Sequence, residues 1–254
     1  MKFIKYLALF LILQGCNSDY QWGWEIIDPS YADGLTNLKF LISGITITIY
    51  ISVISIILAM IIGLVVALPS LSNNKFLSYF NIAYVEIVRA IPLLVLILWI
   101  YYGLPIMTGI SFSPFVSGIV ALTISESAFQ AEIFRAGINS INKGQYEVAS
   151  SLGMNFWKKM RLVILPQAIK VVLPALGNQF VYVLKMSSLV SIIGIADLTR
   201  KANELVVSTY RPLEIYTFLI LEYLVYHTFK SSLCLLMFLC TSFKVISSFY
   251  ELND

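Results

Sequence analysis

The chain has 254 residues, 59% of them hydrophobic and only 12% charged, with a formal net charge of +3 and a mean hydropathy of +0.84. A soluble domain of this length carries about a quarter charged residues, so composition leaves membrane-embedded as the class. Three cysteines (Cys16, Cys234, Cys240) have no metal or disulfide spacing, and His227 stands alone. No glycine-rich phosphate loop ending in Lys-Ser/Thr occurs, so the chain is expected neither to hold a metal nor to bind or hydrolyse ATP itself.

Residues 1–16 read as a leader. Lys2 and Lys5 precede an apolar run, Tyr6 to Leu13, whose eight residues are too short to span. Leu13-Gln14-Gly15-Cys16 resembles a lipoprotein signal box with Gln14 where a small residue is usual; an uncleaved leader with a chance cysteine is the alternative. Residues 17–37 form a polar outer segment, in which Asp19, Glu25, Asp28 and Asp33 alternate with Trp22, Trp24 and Tyr31, as in an interface belt.

The first predicted span, Phe40 to Leu68, is uncharged over twenty-nine residues. Ala59, Gly63 and Ala67 recur in it every four residues, a spacing that lets another helix approach closely, though Gly and Ala are common in membrane helices anyway. Ile82 to Tyr102 is the second span. Glu86 and Arg89, three apart near its start, are expected to pair on one face. Pro114 to Phe134 is the third. Glu126, between Ser125 and Ser127, is an ionisable group at membrane depth and reads as functional by default; its plainer role is to pair with Arg89 or a backbone donor.

Ala131 to Ala168 is the longest polar interval, with Arg135, Lys143, Lys158, Lys159 and Arg161 against only Glu132 and Glu147. Val148, Ala149 and Leu152, then Phe156, Met160, Val163 and Ile164, fall on helical faces, divided by Gly153 and closed by Pro166. A polar helix–turn–helix between spans suits docking better than crossing. Ile169 to Leu184 is the fourth span, kinked or started at Pro174. Glu214 to Leu239 is the fifth and least regular, interrupted by Glu222, His227 and Lys230.

Residues 38–245 are thus expected to form an all-α membrane domain of five transmembrane helices with a cytoplasmic loop at 137–166. The basic loop places itself inside, the segment before Phe40 outside and the tail after Leu239 inside. Lys75 and Lys244 agree with this orientation, whereas Lys185, Arg200, Lys201 and Arg211 fall outside against the charge bias.

Glu147, Ala149, Gly153, Leu165 and Pro166 match the EAA loop of ABC-importer permeases, with Val148 in place of the first Ala and Val163 where Ile is usual. Arg89-Ala90-Ile91-Pro92-Leu93-Leu94 resembles that family's R-x-T-P-L-L signature, with Ile91 for Thr. The run from Ala131 to Gln145 and Leu165-Pro166-Gln167-Ala168 narrow the resemblance to permeases for polar amino acids, the histidine, glutamine, arginine and opine group. Leu184 to Ser191 is similar to the family's L-K-D-T-S-L-V-S segment, with Met186 replacing the acid, and Gln179 stands where many relatives carry Glu.

The resemblance implies a type I ABC-importer permease fold in the bacterial inner membrane. It implies an ABC ATPase dimer that uses ATP and Mg, a second permease subunit (identical or different), an outer solute-binding protein, an amino-acid substrate, surrounding lipid and no nucleic acid. On it, Glu147, Ala149, Gly153, Leu165 and Pro166 would couple to the ATPase, and Glu126, Gln179, Lys185, Ser187 and Ser188 are candidates for the substrate path. With Gln179 and Met186 at positions that often hold acids, a neutral or acidic amino acid such as glutamine or glutamate is favoured over arginine or histidine; Glu126 reverses this if it faces the path. The alternative from another class is a membrane receptor or scaffold that binds an ABC ATPase without transporting.

Overall fold

The computed structural model describes residues 20–68 and 75–225. The leader with Cys16, the turn at Pro69, and His227, Lys230, Cys234, Cys240 and Lys244 lie outside the described residues. Those described form helices and no strand.

Helix α1 (Ala32–Ala67) runs 36 residues, about 54 Å. Its buried face is a ladder of small side chains: Gly44, Thr48, Ser52, Ser55, Ala59, Gly63 and Ala67. The small spacing expected at Ala59, Gly63 and Ala67 is therefore a packing face. A Cβ on Gly63 would stand 2.6 Å from Gln130 Cβ and 2.9 Å from the Ser127 carbonyl oxygen. Only glycine permits that approach. The neighbour is α4 (Pro114–Asn139), capped by Ser113, whose side chain accepts from the Val116 amide, with Pro114 in the first turn.

Between them lie α2 (Lys75–Ala90) and α3 (Leu93–Thr108), bent by 91°. The cause is Pro92, which begins α3 with φ −59° and drives Ile91 out of the helical region. Ile82–Tyr102 is thus not one straight span, as the sequence led one to expect, but two helices at a right angle. A π-helical turn, Trp99–Gly103, interrupts α3.

The loop after α4 holds α5 (Lys143–Ser151) and α6 (Phe156–Lys159). A π turn, Met160–Ile164, leads into α7 (Leu165–Met186). Pro166 lacks the N–H that an α turn would use there, and the Leu165 amide bonds five residues back to the Met160 carbonyl. Helix α7 passes through Pro174 instead of starting at it. A 3₁₀ segment, Ser187–Ile193, then ends at Gly194 with φ +88°. Helix α8 (Leu198–Thr209) follows, capped by Asp197, and α9 occupies residues 212–225.

By length and composition, α1 and the continuous helical run Phe156–Ile193 can each cross a membrane, and the bent α2–α3 pair counts as a third. Helix α4 has 26 residues, about 39 Å, and turns its polar side chains inward. Helix α9 opens a further segment whose continuation lies outside the described residues.

The main core joins α1, α3, α4 and the 3₁₀ segment through Ile51, Ile97, Leu122 and Val190. A second core ties α8 and α9 to α1 through Leu41, Ala202, Leu205 and Ile215. The polar N-terminal segment is fastened to the same end. Glu214 accepts from the Gly23 amide at 2.7 Å and from the Tyr20 hydroxyl, while Arg211 donates to the Gln21 carbonyl at 2.7 Å.

Candidate coupling loop and polar path

Two asparagines start the helices of the loop. Asn142 accepts from the Gly144 amide at 2.8 Å at the start of α5, and Asn155 accepts from the Lys158 amide at 2.9 Å at the start of α6. Gly153 closes α5 at φ +72°. Its amide bonds to the Ser150 carbonyl at 2.9 Å and the Met154 amide to the Ala149 carbonyl at 3.1 Å. That pair of bonds is a Schellman ending, which requires a left-handed residue at the glycine position. The glycine therefore fixes the angle at which α6 leaves α5.

The pair is held to the rest of the chain by one small core. Ile138, Ile141, Ile164 and Ala168 are buried, with Tyr146, Met160 and Val163 against them. Lys159 donates to the Ser150 hydroxyl, and Gln167 donates to Gln145 at 3.3 Å. Ala149 is buried at 2% exposure. Glu147 is exposed, Leu165 is 39% exposed and Pro166 half-buried. Outward, the loop presents Val148, Leu152, Phe156 and Trp157, the last 78% exposed and edge-on to Phe156 at 5.7 Å. Trp157 was not singled out in the sequence because it falls off the stripe of Phe156 and Met160. Its signal was the aromatic pair directly after a helix cap.

The second group sits where α1, α4 and α7 meet. Thr123, Glu126, Ser127 and Gln130 are buried on α4, and Ser52 and Ser55 on α1. Gln179 of α7 donates to Glu126 Oε2 at 2.6 Å. Two of the sequence candidates, fifty-three residues apart, are thus brought together. Glu126 is fully buried, and its Oε1 has no partner among the described residues; nor do Gln130 Oε1 and Nε2, Thr123 Oγ1 or Ser55 Oγ. Tyr84 is hydrogen-bonded to Ser127 at 2.6 Å.

Arg89 corrects two expectations. It pairs with Glu132 of α4, neither with Glu86 nor with Glu126, and its guanidinium lies 5.0 Å from the Phe129 ring centroid. The reason is geometry: α2 crosses α4 at this point, so a carboxylate and an aromatic face on α4 meet Arg89 together, a better site than Glu86 on its own helix. Phe129 also touches Tyr182 of α7, ring to ring at 6.1 Å. Lys185 is exposed. Ser187 is buried and donates back to the Leu184 carbonyl, and Ser188 donates to the Lys185 carbonyl. The Ser187 hydroxyl faces the protein, and Glu126 is buried with Gln179 whereas Lys185 is exposed.

A family model described as "Binding-protein-dependent transport system inner membrane component" matches residues 56–245. The chain is 41% identical over 189 residues to the probable glutamine ABC transporter permease protein GlnM of Bacillus subtilis (strain 168), covering 74% of this chain and 87% of that one. It is 36% identical over 180 residues to the arginine transport system permease protein ArtQ of the same organism, covering 71% and 82%. Among solved structures, it superposes on an amino acid ABC transporter with histidines at a TM-score of 0.75 and 41% identity, covering 80% of this chain and 94% of the other. The matched stretch takes in the C-terminal third of α1, the α5–α6 loop and the α4–α7 polar seam, and the chain belongs to the inner membrane components of binding-protein-dependent transport systems.

Proposed function

We propose that this chain is the permease subunit of an ATP-driven importer that carries a polar amino acid inward across the bacterial inner membrane. The observation that carries the reading is the α5–α6 pair, joined by its Schellman turn, with Val148, Leu152, Phe156 and Trp157 turned outward beside a basic edge. Such an apolar helix face fits a groove on a partner. The partner is an ABC ATPase dimer that holds and spends ATP and Mg, and this chain contributes no residue to that hydrolysis. A second permease subunit and an outer solute-binding protein complete the importer.

The mechanism is alternating access. Closure of the ATPases on ATP displaces α5–α6, and the Schellman turn passes that displacement on without bending. The short core around Ile138 and Ile164 connects it to α4 and α7, the two helices that bear Glu126 and Gln179. Broken and polar helix stretches there line a path, since irregular or polar backbone is tolerated at membrane depth only against protein or water.

The substrate is a neutral amino acid of the glutamine type. Glu126 is fully buried and one of its oxygens is held by Gln179, so only Oε1, itself closed off within the helix packing, would be left to meet a cationic side chain. The second reading, a cationic amino acid, is supported by the likeness to ArtQ and by the histidine-bound structure. Competition uptake separates them. Arginine is expected not to compete for glutamine uptake; if it does, and Glu126→Gln abolishes that competition, Glu126 is a cation site and the neutral assignment fails. Glutamine-stimulated ATP hydrolysis by the assembled complex in proteoliposomes tests transport itself. A scaffold would bind the ATPase and show no stimulation.

A further inference from the structure

Helix α2 meets the α1–α4 pair at a single level. Asn81 donates to the Val66 carbonyl, Tyr84 is bonded to Ser127, Val85 packs with Ala67 and Ala131, and Arg89 pairs with Glu132. On the same level Gly63 of α1 touches Ser127, Gln130 and Ala131. A helix running alongside α4 would climb about 12 Å between positions 81 and 89. Helix α2 does not climb; it passes crosswise, and α3 turns upward from it by 91°.

Around its axis α2 has three adjoining sectors. Asn81, Val85 and Val88 are buried against the protein. Tyr79, Phe80 and Ile87 are all more than 60% exposed and, with Ala83, lie within about 100° of arc. Ser78, Glu86 and Arg89, with Ile82 among them, occupy the third sector. Ile82, Glu86 and Arg89 line a cleft with Glu132 and Arg135, on the side of the C-terminal end of α4. Tyr84, reaching up to Ser127, marks the opposite side. The polar sector therefore faces the end of the molecule that carries the loop, and the aromatic sector, centred about 110° from it around the axis, faces outward, opposite the sector buried against the protein.

We infer that α2 is an in-plane amphipathic helix of the cytoplasmic leaflet, its aromatic stripe sunk among lipid acyl chains and its charged sector at the headgroups. Lipid is the occupant because the stripe is continuous with the exposed apolar end of α1 at Leu64, Val65 and Leu68, on the same level. Glu86 and Arg89 keep to the side of the loop, beside Glu132 and Arg135. The inference does not depend on the transported solute.

The test uses the assembled transporter in phosphatidylethanolamine–phosphatidylglycerol vesicles, with Cys16, Cys234 and Cys240 replaced and uptake retained. Nitroxide labels are placed through Phe80→Cys, Ala83→Cys, Ile87→Cys and, on the charged sector, Glu86→Cys. The first three are expected to be reached by oxygen and shielded from a nickel chelate, with 80 and 87, two turns apart on one face, at equal depth, and the fourth to be reached by nickel. A depth difference of about 10 Å between positions 80 and 87 would mean a crossing helix. Shielding of all three from both reagents would mean a partner subunit on the stripe. Either outcome overturns the inference. If a label at 80 abolishes uptake, Phe80→Trp and its added quenching by brominated lipid read the same contact, and no added quenching overturns it.

Discussion

Gly63 and Gly153 are both indispensable, for opposite reasons. Gly63 has no room: its Cβ would overlap Gln130 and the Ser127 carbonyl. Gly63→Ala is expected to force α1 from α4 at a cost of about 1–3 kcal/mol, read as a lower unfolding temperature of the purified chain in detergent. Gly153 has open space but a φ of +72°. Gly153→Asp costs only about 1–2 kcal/mol in backbone strain, so the chain should remain in the membrane while uptake is abolished, because a charge enters the docking turn and its angle changes. Normal uptake by that variant would sink the coupling assignment.

At the scale of elements, the paired helices of the loop were legible in the sequence and the course of α2 was not. The EAA pattern marked where α5 ends because a Schellman glycine is a local requirement that travels with its own residue. The small spacing in α1 was legible for the same reason. Pro92 was visible as a breaker, but a proline says that a helix stops, not where the next one points. The Glu86–Arg89 pairing was inferred from spacing within one helix, and α4 supplied a competitor that no local rule contains. Two elements carry tests. Trp157→Ala removes an exposed side chain from α6 and should leave the unfolding temperature unchanged while weakening co-purification of the ATPase about tenfold, as expected for an aromatic anchor. Asp197 caps α8 through the Thr199 and Arg200 amides; Asp197→Ala should cost about 1 kcal/mol and Asp197→Asn much less, by thermal unfolding.

Across the whole molecule, the contacts that organise function join distant stretches. Glu126 and Gln179 are fifty-three residues apart, and Glu214 holds an N-terminal strap about 190 residues away. Each residue could be marked as unusual in the sequence, but their partnership depends on which helices touch. The strap makes a topological prediction. Glu214→Ala leaves the Gly23 amide and Tyr20 hydroxyl without their acceptor, so protease added to intact spheroplasts should cut the segment before Ile26 faster than in the parent. A tag inserted after Asn17 should be reached from the same side. Protection there, with digestion in inverted vesicles, would reverse the orientation.

The π turn at Met160–Ile164 is a place where the chain can change length without changing phase. A π turn holds one more residue than an α turn at nearly the same length, so the chain between Phe156 and Leu165 carries an insertion that the hydrogen bonds absorb. Deleting the exposed Leu162 would remove that extra residue and leave Trp157 close to its present bearing. Deleting one residue of α7 beyond the turn, where nothing takes up the change, would instead move the loop by about 1.5 Å and about 100°. Gene comparisons should therefore tolerate a single-codon gap within 160–164 far better than one in the helix that follows.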